Sequence, residues 1–126
     1  MIAEDYVSFE VAKLLKEKGF DWECISYYVD DEPHDIKYSF LGETNSTWES
    51  RCCSAPTHQM VMEWLREVHN LHIVIDRGPK GYHILIERLP SGTAIYITRE
   101  IIGTTYINPF KKAVECAIKF CLEKLI

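Results

Sequence analysis

The chain is 126 residues long and has no apolar run near the roughly 20 residues that a membrane-spanning helix needs. Its start, Met1-Ile2-Ala3-Glu4-Asp5-Tyr6, has neither a basic segment nor an apolar core, so no secretory leader is read there. The cysteines are odd in number (Cys24, Cys52, Cys53, Cys116 and Cys121), and with no export signal they point to a reducing compartment. The expected location is cytoplasmic, with no membrane contact, and the sequon at Asn45-Ser46-Thr47 then has no meaning. There is no internal repeat and no low-complexity tract. Also missing are a nucleophile elbow, a dinucleotide fingerprint, a zincin motif, and the tight Cys-x-x-Cys or His-x-x-x-His spacing of a metal site. The expectation is no cofactor, no metal, no catalytic residue to name, and an activity that is more non-enzymatic than enzymatic.

What is present is an ordinary globular mixture, 47% hydrophobic and 26% charged, in a length that suits one domain. The net charge of −5 is uneven. Residues 1–55 carry 5 Lys/Arg against 12 Asp/Glu, and residues 56–126 carry 9 against 7. The acidic first half argues against general nucleic-acid affinity, because phosphate binding rests on excess positive charge.

The pattern of apolar residues gives an α+β chain in the order α-β-β-α-β-β-β-α. It is read as a single domain over 1–126, with an N-terminal helix and hairpin in 1–55 and an α-β-β-β-α unit in 56–126. Ser8 caps a helix over 9–18 and Gly19 stops it, with Phe20 folding back on the last turn. Strands follow at 24–29 and 36–40, separated by the polar turn 30–35, and residues 42–55 read as loop. Pro56 opens a second helix that leaves through Asn70.

Residues 71–76, 82–88 and 93–98 form three antiparallel strands. Pairing Ile75 with Tyr82 and Arg88 with Thr93 collects Leu71, Ile73, Ile75, Tyr82, Ile84, Ile86, Ile95 and Ile97 on one face. The other face holds His72, Val74, His83, Leu85, Glu87, Ala94, Tyr96 and Thr98. The last helix starts at Asn108-Pro109, as an N-cap followed by proline. Its stripe Val114, Ala117, Ile118, Cys121, Leu122 and Leu125 is expected to cover the isoleucine face together with the second helix.

Each candidate site has a plain alternative. His72 and His83 share a sheet face, with His69 near, and read either as metal ligands or as half-exposed strand residues. Cys52-Cys53 beside Arg51 lacks a base or an orienting acid, and Cys121 lies on an apolar stripe. The acidic run 30–35 lacks the glycine and closing glutamate of a calcium loop. The loop Gly78-Pro79-Lys80-Gly81 joins two strands, whereas a phosphate loop leads into a helix. Trp48, in a polar loop, either anchors that loop or meets a partner, and anchoring is the expectation. The mixed face, with His72, His83, Leu85 and Tyr96, is the expected surface for an unknown protein partner or for self-association as a homodimer.

Two stretches, Ala55-Pro56-Thr57 with Trp64 to Ile73, and Ala113 to Glu123, resemble a group of short bacterial proteins encoded in prophages and other mobile elements. That resemblance implies an accessory protein of a mobile element and carries over no catalytic or binding residue. Residues 56–126 also resemble a double-stranded-RNA-binding domain in element order, in Gly78-Pro79 between the first two strands, and in Lys111-Lys112 at the start of the last helix. This likeness implies phosphate contacts by Lys80, Lys111 and Lys112. His83 lies three residues beyond Lys80, so the loop motif is interrupted, and Glu115 and Glu123 dilute the basic helix.

Overall fold

Ser8 opens the first helix. Its hydroxyl accepts from Val11 N–H at 3.2 Å and caps α1 (Phe9–Glu17). Gly19, at φ +88°, turns the chain out of α1, and Phe20 N–H returns to Leu15 carbonyl at 2.9 Å, burying the Phe20 ring completely. The computed structural model describes residues 5–126, so the leader-free start read from Met1 to Glu4 lies outside it. Two compact units divide the chain, Met1–His58 and Gln59–Ile126. The architecture is α+β, with two three-stranded antiparallel sheets among the described residues.

The first unit holds α1, β1 (Cys24–Val29), β2 (Glu32–Glu43) and β3 (Cys52–Ser54), in the sheet order β2-β1-β3. The turn is shorter than the sequence suggests. Val29 pairs with Glu32, leaving only Asp30-Asp31 between the strands, and most of the acidic run lies in β2. Pro33 is tolerated because it falls in an irregular stretch of the edge strand β2, between the pairs Val29–Glu32 and Tyr27–Lys37. The stretch 42–55, expected as loop, contains β3, which pairs Val29 with Cys52 and Tyr27 with Ser54. Three residues are too few to show a period. Burial of all three and two bonds from Lys16 Nζ to the carbonyls of Cys52 (2.7 Å) and Ser50 (3.3 Å) fix this strand. Its core is Val7, Val11, Ala12, Leu15, Phe20, Tyr28 and Cys53.

The second unit begins in α2 (His58–His69), with Val61, Trp64 and Leu65 buried, and leaves it at Asn70, whose φ of +58° is the expected left-handed exit. β4 (Leu71–Arg77), β5 (Tyr82–Arg88) and β6 (Thr93–Ile97) follow, then α3 (Thr98–Ile102), α4 (Phe110–Phe120) and a π-helical turn, Cys121–Leu125. The helix α3 was not expected. Thr98 Oγ1 accepts from Ile84 N–H at 2.8 Å and donates to Ile84 carbonyl at 3.2 Å. One side chain thereby satisfies both backbone groups that a longer β6 would have bonded, and the chain is free to coil.

The register differs from expectation in two ways. β4 and β5 pair Ile75 with Ile84 and Arg77 with Tyr82, two residues further along than expected. A two-residue shift keeps every side chain on its face and gains ladder bonds by tightening the hairpin to Gly78–Gly81. In β6 the start is as expected, Arg88 opposite Thr93, but a bulge at Ile95 then places Tyr96 opposite Ile86 and Ile97 opposite Leu85. Ile97 is therefore half exposed, and Tyr96 turns to the inner face, edge-on to Phe120 at 5.0 Å. Ile73, Ile84 and Ile86 remain buried, and α4 packs on β4 and β5 through Val114, Ala117 and Ile118. The N-cap of α4 is Pro109, not Asn108, and the Asn108 side-chain amide instead donates to the Lys80 carbonyl. No described helix is long and apolar enough to cross a membrane.

Candidate functional site

The strongest surface feature lies on the edge of the first sheet. Between the pairs Cys24–Glu43 and Ser26–Tyr38, the single residue Ile25 of β1 faces four residues of β2, Ser39 to Gly42. The surplus chain bulges outward and carries Phe40, fully exposed, and Leu41, 76% exposed. Leu41 N–H bonds Ser39 Oγ at 3.3 Å within the bulge, and the Glu23 side chain occupies the space over Gly42 that a Cβ would need.

Beside the bulge is a cleft of about 520 Å³ lined by Tyr27, Tyr38, Phe40, Glu43, Trp48 and Glu49, among others. Trp48 and Tyr27 are stacked with centroids 4.6 Å apart and planes tilted by 33°. The indole N–H of Trp48 reaches Ser54 Oγ at 2.7 Å, so Trp48 anchors its loop as expected, and its half-exposed ring also forms a wall of the cleft. Asn45, buried, holds the same loop from beneath: its amide donates to Phe20 carbonyl at 2.8 Å and its oxygen accepts from Ser54 N–H at 2.9 Å. Asp21 bonds Ser46 N–H at 2.9 Å, which holds its carboxyl below the usual aspartate value. Lys37 pairs with Glu32 and Arg51 with Asp31, so neither of these cations neutralises Glu43 or Glu49. Burial, and then the charge of Glu49, push the Cys52 thiol at the cleft floor up.

A second place collects the lysines read from the sequence. Tyr82 and Ile107 exchange both backbone bonds, at 2.9 and 3.0 Å, and Asn108 Nδ2 donates to Lys80 carbonyl at 2.9 Å. The hairpin loop is thus clasped against the start of α4, and Arg77, Lys80 and Phe110 line one groove. Lys111 and Lys112 follow Phe110 in the first turn, and all three lysines are exposed. Gly81 is required here, since a Cβ would meet Asn108 Nδ2.

The mixed face of the second sheet is less unified than expected. His83 is exposed and pairs with Asp76, whereas His72 pairs with Glu87 four positions away, so the two histidines do not meet. His83 instead lies over Gly78. Leu85 and His72 are half-buried, His72 Nδ1 has no hydrogen-bond partner, and Tyr96 belongs to the other face. Asp76, His83, Arg99 and Thr105 line a shallow cleft with Leu85 and Ile97. No group of three His, Cys, Asp or Glu among the described residues is arranged for a metal.

The thiols have no nucleophilic setting. Burial pushes Cys24 and Cys53 up to about 11 and Cys121 up to about 12, so all three stay protonated at neutral pH. Phe40, Leu41, Glu43 and Glu49 are not legible as site residues in the sequence, where Glu43 and Glu49 read only as part of the polar loop 42–55; the one visible signal is Phe40-Leu41 abutting Gly42. No protein-family model, curated protein or solved structure matches this chain.

Proposed function

We propose that this chain is a non-enzymatic interaction protein, in keeping with an accessory role, that docks a partner protein on the bulged edge of its first sheet. The carrying observation is Phe40, fully exposed beside Leu41 on a surplus of β2 backbone that has no register partner in β1. Apolar surface in water costs about 25 cal/mol per Å², and a contiguous exposed patch marks a contact site. The bulge itself twists the edge away from strand addition, so the docking is through side chains. With 5 Lys/Arg against 12 Asp/Glu in residues 1–58, the surface favours a basic partner.

A photo-reactive phenylalanine analogue at position 40 tests this in the cell. The expected adduct lies on a basic segment of one protein, and that protein, purified, loses at least about tenfold in affinity for a Phe40→Ser, Leu41→Ser variant. Equal affinity for the variant, or an adduct yield no higher than from exposed Arg99, would remove the proposal. An adduct to a second copy would make the site a self-association surface, and a strict monomer by light scattering would then exclude that.

The clasp between Lys80 and Asn108 favours a second reading, weak binding of duplex RNA by Lys80, Lys111 and Lys112. Point charges on phosphates make affinity fall steeply with salt and ignore sequence. A mobility shift with an RNA duplex at low salt is expected to disappear in Lys111→Glu, Lys112→Glu. No shift at high micromolar protein, or one untouched by the substitutions, rules this reading out.

A further inference from the structure

We infer that the cleft beside the bulge is a pocket for one protonated lysine or arginine side chain of a basic protein segment. The inference takes its location from the docking reading and adds the chemistry of recognition. Two features meet there. The walls are aromatic: Trp48 and Tyr27 stacked at 4.6 Å, with Phe40 also lining the cleft. The rim carries the carboxylates of Glu43 and Glu49.

An organic cation is the ligand that uses both. Its methylene stem packs on the rings, its charge is attracted by the negative faces of Trp and Tyr, and its N–H groups are met by carboxylates. A neutral apolar chain would leave both carboxylates desolvated and unpaired, and an anion would be repelled by them. Cations around the cleft are already engaged: Lys37, opposite Tyr27, pairs with Glu32 at 3.3 Å, Arg51 pairs with Asp31 at 3.4 Å, and Lys16 donates to the carbonyls of Ser50 and Cys52. A volume of about 520 Å³ is ample for one long side chain. The walls are also preformed. The Trp48 to Ser54 bond and the two bonds of Asn45 fix the loop before any ligand arrives.

The test follows the Trp48 indole N–H resonance, assigned by its loss in Trp48→Phe, while short Gly-flanked peptides are added. One peptide carries lysine, one arginine, and one norleucine, which keeps the stem and lacks the charge. The expected result is that the lysine or arginine peptide shifts the resonance saturably, and that norleucine binds at least about tenfold more weakly. Glu43→Gln with Glu49→Gln is expected to erase about tenfold of that preference.

Equal binding of norleucine, or a cation preference unchanged in the double Gln variant, overturns the pocket assignment. So does the absence of any shift with all three peptides. Tetramethylammonium as a competitor separates a free small cation from a peptide: an affinity equal to the lysine peptide's would overturn the peptide assignment. None of these outcomes touches the docking reading, which stands or falls on the intact partner and Phe40→Ser, Leu41→Ser.

Discussion

Trp48 and Ser54 are joined by a 2.7 Å hydrogen bond that ties the candidate cleft to β3, the shortest strand of the first sheet. Through Ser54 the contact passes to Asn45, whose oxygen accepts the Ser54 N–H, and on to Phe20 through the Asn45 amide. The wall of the cleft is therefore part of the packing of its unit.

That linkage gives the first prediction. Asn45→Ala strands a buried N–H and a buried carbonyl, and is expected to cost about 2–3 kcal/mol. Trp48→Phe keeps a ring against Tyr27 and loses one donor, so about 1 kcal/mol is expected. Urea denaturation of the two variants gives both values, and the order Asn45→Ala worse than Trp48→Phe is the expected result.

The bulge at Ile95 is testable by cavity cost. Ile86→Ala, fully buried opposite Tyr96, is expected to cost about 3 kcal/mol. Ile97→Ala, half exposed, is expected to stay within about 0.5 kcal/mol. Similar losses at the two positions would restore the unbulged register, in which both isoleucines share the inner face.

His69 gives the third. Burial lowers its pKa from 6.5, its ring is edge-on to Trp64 at 4.7 Å, and its Nε2 is buried without a partner. Below pH 6.5 the unfolded chain binds the proton more readily than the folded one, so stability falls as pH drops from 6.5 through the lower folded value. His69→Phe keeps the ring contact and removes the orphan nitrogen. It is expected to gain about 1 kcal/mol at neutral pH and to flatten the loss of stability just below pH 6.5. Thermal melts between pH 5 and 7.5 measure this.

The buried thiols make the fourth prediction. With Cys24 and Cys53 at about 11 and Cys121 at about 12, folding holds protons that an unfolded chain releases near 9. Stability is complete below pH 9 and declines as pH rises through these values. At pH 7.5, iodoacetamide is expected to modify these three cysteines only as fast as the protein opens, and a denaturant series of labelling rates checks it.

Local chemistry was readable from residues alone. Ser8, Gly19, Asn70 and the stripe on the last helix fix their elements through side-chain caps, left-handed backbone and period, none of which needs a distant partner. The pairing of Arg88 with Thr93 was equally local, set by a four-residue loop. Three features depended on contacts that no pattern encodes. β3 exists because Lys16, 36 residues before Cys52, caps its carbonyl and because Val29 offers an open edge. β6 ends because the Thr98 hydroxyl takes both backbone groups of Ile84, 14 residues away. Phe40 reads in sequence as one more alternating strand residue, yet a three-residue mismatch between β1 and β2 pushes it into solvent. Period-two alternation fixes which residues share a face while the ladder is regular. A bulge is a decision between two strands, and so only the tertiary structure could place the candidate site.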